Sequence, residues 1–411
     1  MAKVDRYLKF TSKNRGSDLH LKTGSPPLVR IDGDLERLKA DPLSAEQVQS
    51  MAQEIMPERN LQEFEAVHDT DFCYELDGVG RFRTNAYHDL KGPALAMRLI
   101  PQETLGLDDL ALNDKMLDLF EELPLLPKGV VLCTGPTGCG KSTTLAALLN
   151  RANRERTDHI ITIEDPVEFV HEDQGCIVSH REVGTHCDSF KRALRVGLRE
   201  DPDVILVGEM RDLETTALAL RCAETGHLVF STIHTTTATS SVDRIIDQFP
   251  ADQQEQIRLM LSSTLKAVIS QTLCRRKNGG RVAAFEILYV HSAVANLIRE
   301  KKTYQLESQI QTGRKYGMCT MNDSLMSLVR DDIITPAEAY RNAVDKAGLN
   351  EELNKHFLRK VQNEEMAPIE ALKKSFEKPD MMKKLNQAGY KKALKNTSVE
   401  DFKPAEFAET E

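Results

Sequence analysis

Eight residues constrain the fold of this chain more than any other stretch. Residues 135–142 read Gly-Pro-Thr-Gly-Cys-Gly-Lys-Ser, the complete pattern G-x-x-x-x-G-K-[ST]. They follow the apolar run Gly129-Val-Val-Leu-Cys133 and precede Thr143-Thr-Leu-Ala-Ala-Leu-Leu149. Strand, loop and helix in that order are the setting in which the pattern binds phosphate. Gly135, Gly138 and Gly140 permit backbone angles and close approaches that a Cβ forbids, so successive N–H groups can face phosphate oxygens. The helix behind them adds its positive dipole end. Lys141 is expected to reach the β and γ phosphates as a point charge, and the Ser142 hydroxyl to enter the shell of Mg²⁺. Pro136, Thr137, Cys139 and Thr143 complete the loop and the first helical turn. The expected ligands are ATP and Mg²⁺.

The chain has 411 residues, enough for two or three domains, with an ordinary globular composition of 28% charged and 40% hydrophobic residues. The 54 basic residues are outnumbered by 63 acidic ones, net −9, which argues against a nucleic-acid partner bound through a basic surface. No apolar run approaches a membrane span, and Met-Ala-Lys-Val-Asp5 does not open a secretory signal. The expectation is a cytoplasmic protein whose membrane contact is peripheral. Eight cysteines without a C-x-x-C pair give neither a zinc ribbon nor a redox dithiol. Cys139 reads either as a tolerated small residue or as an oxidation switch.

The expected domains are a small α+β unit over 1–105, an α/β unit over 106–350 and a charged tail over 351–411. In the first, an Asp32-Gly33 turn joins two extended segments, a helix covers Ser44–Met56, and strands are expected at Asp71–Leu76, Gly80–Tyr87 and Ala94–Ile100. Pro101–Leu107 reads as a linker. The second alternates helical stretches with strands at Gly129–Thr134, His159–Glu164, Val204–Gly208, Leu228–Ile233 and Ala283–Leu288. Such alternation predicts a mainly parallel sheet covered by helices. The tail is charge-segregated, net +6 over 355–395 and net −4 over 396–411. It reads as a solvated helical or disordered appendage, or as a docking arm for an acidic partner or membrane.

Hydrolysis needs a carboxylate beside the phosphates. Val204-Ile-Leu-Val-Gly-Glu209 runs an apolar strand into an acid, the form of a Walker B element. A second acidic cluster, Ile161-Thr-Ile-Glu-Asp-Pro-Val-Glu168, offers Glu164 and Asp165 at another strand end. Spacing does not rank Glu164 against Glu209 as the base. His227 and His234 flank one apolar strand; at a rise of about 3.3 Å per residue their rings stand more than about 20 Å apart, too far to share a metal.

Together these boxes resemble the secretion-ATPase superfamily of type II and type IV pilus systems. Walker A at 135–142, the acidic box Ile163–Glu168, the Walker B Gly197–Glu209 and the histidine box Thr225–His234 occur in that order. The resemblance covers about residues 1–345, and Ser17-Asp-Leu-His-Leu21, Gly80-Arg-Phe-Arg-Thr-Asn85, Asp243-Arg-Ile-Ile-Asp247 and Ala293–Glu300 are most similar to its retraction branch. It implies a PAS-like first domain, a RecA-like second domain with a helical C-terminal part, and a homohexamer acting on an inner-membrane platform protein at the pilus base. It further implies that Arg81, Arg83 and Arg98 reach the nucleotide, Glu164 prepares water, Glu209 serves the Mg²⁺ shell and His234 senses the γ-phosphate. His227 falls within the same nucleotide-binding box. His234-Thr-Thr and the absence of a four-cysteine insert place the resemblance with retraction rather than assembly or secretion. Ala295, where the retraction pattern has arginine, leaves an accessory retraction role open.

Overall fold

The extended segments of the first hundred residues form a six-stranded antiparallel sheet in the computed structural model, which describes residues 2–31, 33–100, 106–110 and 112–394. Its strands are β1 (Asp18–Lys22), β2 (Leu28–Ile31), β3 (Asp34–Arg37), β4 (Asp69–Leu76), β5 (Gly80–Asp89) and β6 (Gly92–Ile100), in the order β3-β2-β1-β6-β5-β4. Ile31 pairs with Asp34 as a two-residue hairpin requires. Asp32 and most of the expected linker, residues 101–105, lie outside the described residues. The helix Ala45–Ile55 starts at Ser44, whose hydroxyl accepts from Gln47 N–H while Gln47 returns a bond to the Ser44 N–H. Its Val48, Met51, Ala52 and Ile55 pack with Leu19, Phe82, Ala86 and Met97 from one sheet face. Strand alternation sends Arg81 and Arg83 to the other face.

The remaining strands are β7 (Gly129–Thr134), β8 (His159–Glu164), β9 (Ile177–Glu182), β10 (Val204–Val207), β11 (Leu228–Ile233), β12 (Leu265–Arg275) and β13 (Arg281–Tyr289). The chain divides into two units, Met1–Gly106 with Leu149–Gly208, and Leu107–Leu148 with Glu209–Glu411. In the first, β8 pairs in parallel with β9 and β10. In the second, β7 pairs in parallel with β11 and β12, and β13 runs antiparallel to β12. The expected mixed α/β architecture is thus present, with two additions.

β9 was not legible as a strand because its Ser179-His-Arg-Glu182 stretch is polar throughout. β12 was hidden by Ser270, Gln271 and Thr272, which interrupt its apolar run. A further difference concerns the tail, whose expected border at 350 falls inside the helix Lys346–Gln362. Leu349, Leu353, Phe357 and Val361 of that helix are buried in one core cluster with Leu325, Leu372, Met381 and Leu385. Positions four apart share a helix face, so this segment packs rather than floats. The acidic end at 396–411 lies outside the described residues. Among the described residues no helix is long and apolar enough to cross a membrane.

Candidate functional site

Within the second unit, Thr134 at the end of β7 lies level with Ile233 on one side and Ser270 on the other. The next residues, Gly135, His234 and Gln271, therefore gather at one edge. Gly135 has φ of 140°, and a Cβ there would stand 2.4 Å from the Gln271 carbonyl and 2.7 Å from Cys139 Sγ. Only glycine lets the loop leave the sheet this tightly. Buried Gln271 then braces the loop: Nε2 donates to the Cys139 carbonyl at 2.6 Å, and Oε1 accepts from the Thr144 hydroxyl at 2.8 Å. Beneath it, the Thr134 hydroxyl donates to Ser270 Oγ at 2.7 Å.

Lys141 is 8% exposed, and its Nζ donates to the carbonyls of Gly135 at 2.8 Å and Pro136 at 3.1 Å. Both acceptors are neutral, so the buried ammonium is suited to an incoming anion. Pro136, Thr137 and Gly138 are exposed, while Ser142 and Thr143 are half-buried at the start of the helix Lys141–Glu155. Free N–H groups at such a start complete an anion cradle. Cys139 is buried, and burial pushes its thiol above the usual range, which fits a packing residue better than an oxidation switch.

Glu209 lies just beyond β10, after Gly208. The Gly208 N–H donates to Ile163 O at 2.8 Å, and a Cβ on Gly208 would meet that oxygen at 3.2 Å and Glu164 Cα at 3.3 Å. Glu209 Oε1 lies 2.9 Å from His234 Nε2 and 2.6 Å from Arg211 Nε. Sequence reasoning named Glu209 and His234 separately; here they form one pair at the loop's edge. His227 is not brought there. It sits at the other end of β11, where its carbonyl accepts from Gly129 N–H and its Nδ1 lies 2.8 Å from the Cys222 carbonyl. The intervening strand spans about 20 Å.

Glu164, Arg81, Arg83 and Arg98 belong to the first unit. Burial lifts the Glu164 carboxyl to about 7, against which a hydrogen bond from Thr162 works only in part. A carboxyl with that value is poised to take a proton near neutrality. Arg83 and Arg98 are register partners on β5 and β6, and both are exposed. Arg98 Nε donates to Asp18 Oδ1 at 2.8 Å. Arg81 Nη2 is 3.7 Å from Glu182 Oε2. Gln271 and Glu182 were missed in the sequence; the one available signal for Gln271 was its place in the polar break Ser270-Gln-Thr272 of an apolar run.

A glycine-rich loop between a parallel strand and a helix, with a buried lysine and a carboxylate–histidine pair beside it, defines a P-loop nucleotide-binding protein. More narrowly, the chain belongs to the type II/IV secretion system protein family, whose model matches residues 2–341. It is 48% identical over 340 residues to the type IV pilus retractation ATPase PilT of Pseudomonas aeruginosa, covering 83% of this chain and 98% of that one. It is 49% identical over 325 residues to a twitching motility protein of Neisseria gonorrhoeae, covering 79% and 86%. A crystal structure of the pilus retraction motor PilT with bound ADP superposes with a TM-score of 0.78 at 44% identity, covering 85% of this chain and 99% of the other. The helices from Lys346 onward lie beyond the family match.

Proposed function

We propose that this protein is the ATPase motor of type IV pilus retraction, hydrolysing ATP to dismantle the pilus during twitching. The observation that carries the reading is the loop edge, where the Lys141 ammonium is held by neutral carbonyls and the Glu209–His234 pair stands beside Gly135. Near-complete coverage of PilT at 48% identity supports the retraction role. In this mechanism Gly135–Gly140 and the helix start bind the phosphates, and Lys141 neutralises the transferred group. Mg²⁺, when bound, offsets charge on the phosphate oxygens; Ser142 and Glu209 are the residues to hold its shell. Glu164 accepts a proton from the attacking water, His234 orients Glu209 and senses the γ-phosphate, and Arg83 and Arg98 contact phosphate when the N-terminal domain closes.

The acting form is a homohexamer on the cytoplasmic side of the inner membrane, engaging a platform protein at the pilus base and no nucleic acid. Ala295, where the retraction pattern carries arginine, favours an accessory retraction ATPase as the second reading. Deleting the gene in its host separates these roles. A strain with more surface pili and no twitching supports retraction; a bald strain reassigns the protein to assembly; unchanged pili and movement favour the accessory role.

A further inference from the structure

Glu164 and Glu182 are register partners at the ends of β8 and β9, so two carboxylates stand side by side on one face of the pair. That face continues one step back in Thr162 and His180, whose Oγ1 and Nδ1 are 2.9 Å apart. Neighbouring like charges on paired strands repel. Yet Glu182 is buried, at 7% exposed. Its Oε1 accepts from the Thr185 hydroxyl at 2.9 Å. Its Oε2 accepts from the Val167 N–H at 3.1 Å and faces Arg81 Nη2 at 3.7 Å. Val167 lies in the loop that follows Glu164, and the Glu168 N–H of the same loop donates to Glu164 Oε2 at 3.4 Å. One carboxylate thus touches the acidic loop on one side and β5 of the N-terminal sheet on the other.

We propose that Glu182 is a positioning residue: with Arg81 it clamps the loop 165–168 and so seats Glu164 for its work on the attacking water. Arg81 is engaged here rather than with phosphate, while Arg83 is exposed and Arg98, also exposed, pairs with Asp18. A buried carboxylate that accepts a backbone N–H and a hydroxyl bond is largely satisfied, and the guanidinium 3.7 Å away offsets part of its charge. While burial raises the Glu164 carboxyl, the Arg81 charge pulls it the other way, as a cation close to both acids does.

This inference rests on Glu164 acting in ATP hydrolysis, and its test separates the two ideas. Hydrogen exchange at the Val167 amide is followed in the nucleotide-free full-length protein, alongside kcat and KM for ATP, in wild type, Glu182→Ala, Arg81→Ala and the double variant. The clamp predicts Val167 exchange faster by about tenfold in each single variant. It predicts kcat down by about tenfold with KM within about twofold, and a double variant no worse than the poorer single one. Should Glu182→Ala not fold, Arg81→Ala carries the same comparison. Unchanged Val167 exchange in the folded variants overturns the clamp, and faster exchange with unchanged kcat overturns its link to catalysis. A Glu164→Gln variant with full turnover would instead remove the role of Glu164 while leaving the exchange result standing.

Discussion

The phosphate loop and the acidic box sit at strand ends of the same kind, but they are built differently. Around Gly135–Ser142 the functional groups are mostly backbone, and their geometry follows from glycines at fixed spacing and a helix that starts at Lys141. At Ile163–Glu168 the group proposed to act is a side chain whose character comes from its surroundings: burial, the neighbouring strand and Arg81, more than eighty positions earlier. Where backbone does the chemistry, a local motif suffices to locate it. Where a carboxylate does, the motif marks a place and tertiary structure decides what the group can do.

Removing the ammonium of the first region should have the largest effect. Lys141→Ala is expected to cut ATP turnover by about 100-fold or more, since catalysis of phosphoryl transfer is mainly positioning and charge stabilisation. Turnover near wild type in that variant would break the assignment of the loop. A smaller loss is expected from Gln271→Ala, which frees the Cys139 carbonyl and the Thr144 hydroxyl. Unfolding should become easier by about 1–3 kcal/mol, with KM for ATP raised by about tenfold. If denaturant melts and KM both stay put, the loop does not depend on its brace and the two regions are alike in being locally determined.

The smallest predicted effect concerns the acidic box. Below its ordinary value of 4.5, Glu164 is protonated whether the chain is folded or not and costs nothing. As pH rises from 4.5 to about 7, the unfolded chain ionises this group while the fold resists, so stability is lost through that window and the loss is complete above about 7. Glutamine carries no such cost. Glu164→Gln should therefore melt a few degrees higher at pH 8, with the gain shrinking to nothing near pH 4.5. A gain that is the same at both pH values would mean that burial does not set the character of this carboxyl.

The sequence disclosed the nucleotide loop, Glu209, the alternation that makes an α/β unit, and the four boxes of the family. Its failures have physical causes. Ser270, Gln271 and Thr272 make β12 look like a loop, yet the first two are polar because they hold the neighbouring strand and the phosphate loop. His227 belongs to the same box as His234, but a strand separates them by its whole length. The helices after Lys346 are rich in charge, and only the spacing of Leu349, Leu353, Phe357 and Val361 discloses that they own a core. The Arg81–Glu182 contact joins residues a hundred positions apart, and no local pattern announces it.

The central claim is that the edge formed by the loop, Glu209 and His234 hydrolyses ATP. The direct measurement is ATP binding and Mg²⁺-dependent turnover of the purified full-length protein beside its Glu209→Gln variant. The account predicts that wild type turns over ATP, and that the variant binds ATP with similar affinity but hydrolyses it about 100-fold more slowly. A wild type that binds nucleotide without turnover, or a variant that hydrolyses it at the wild-type rate, would contradict that claim.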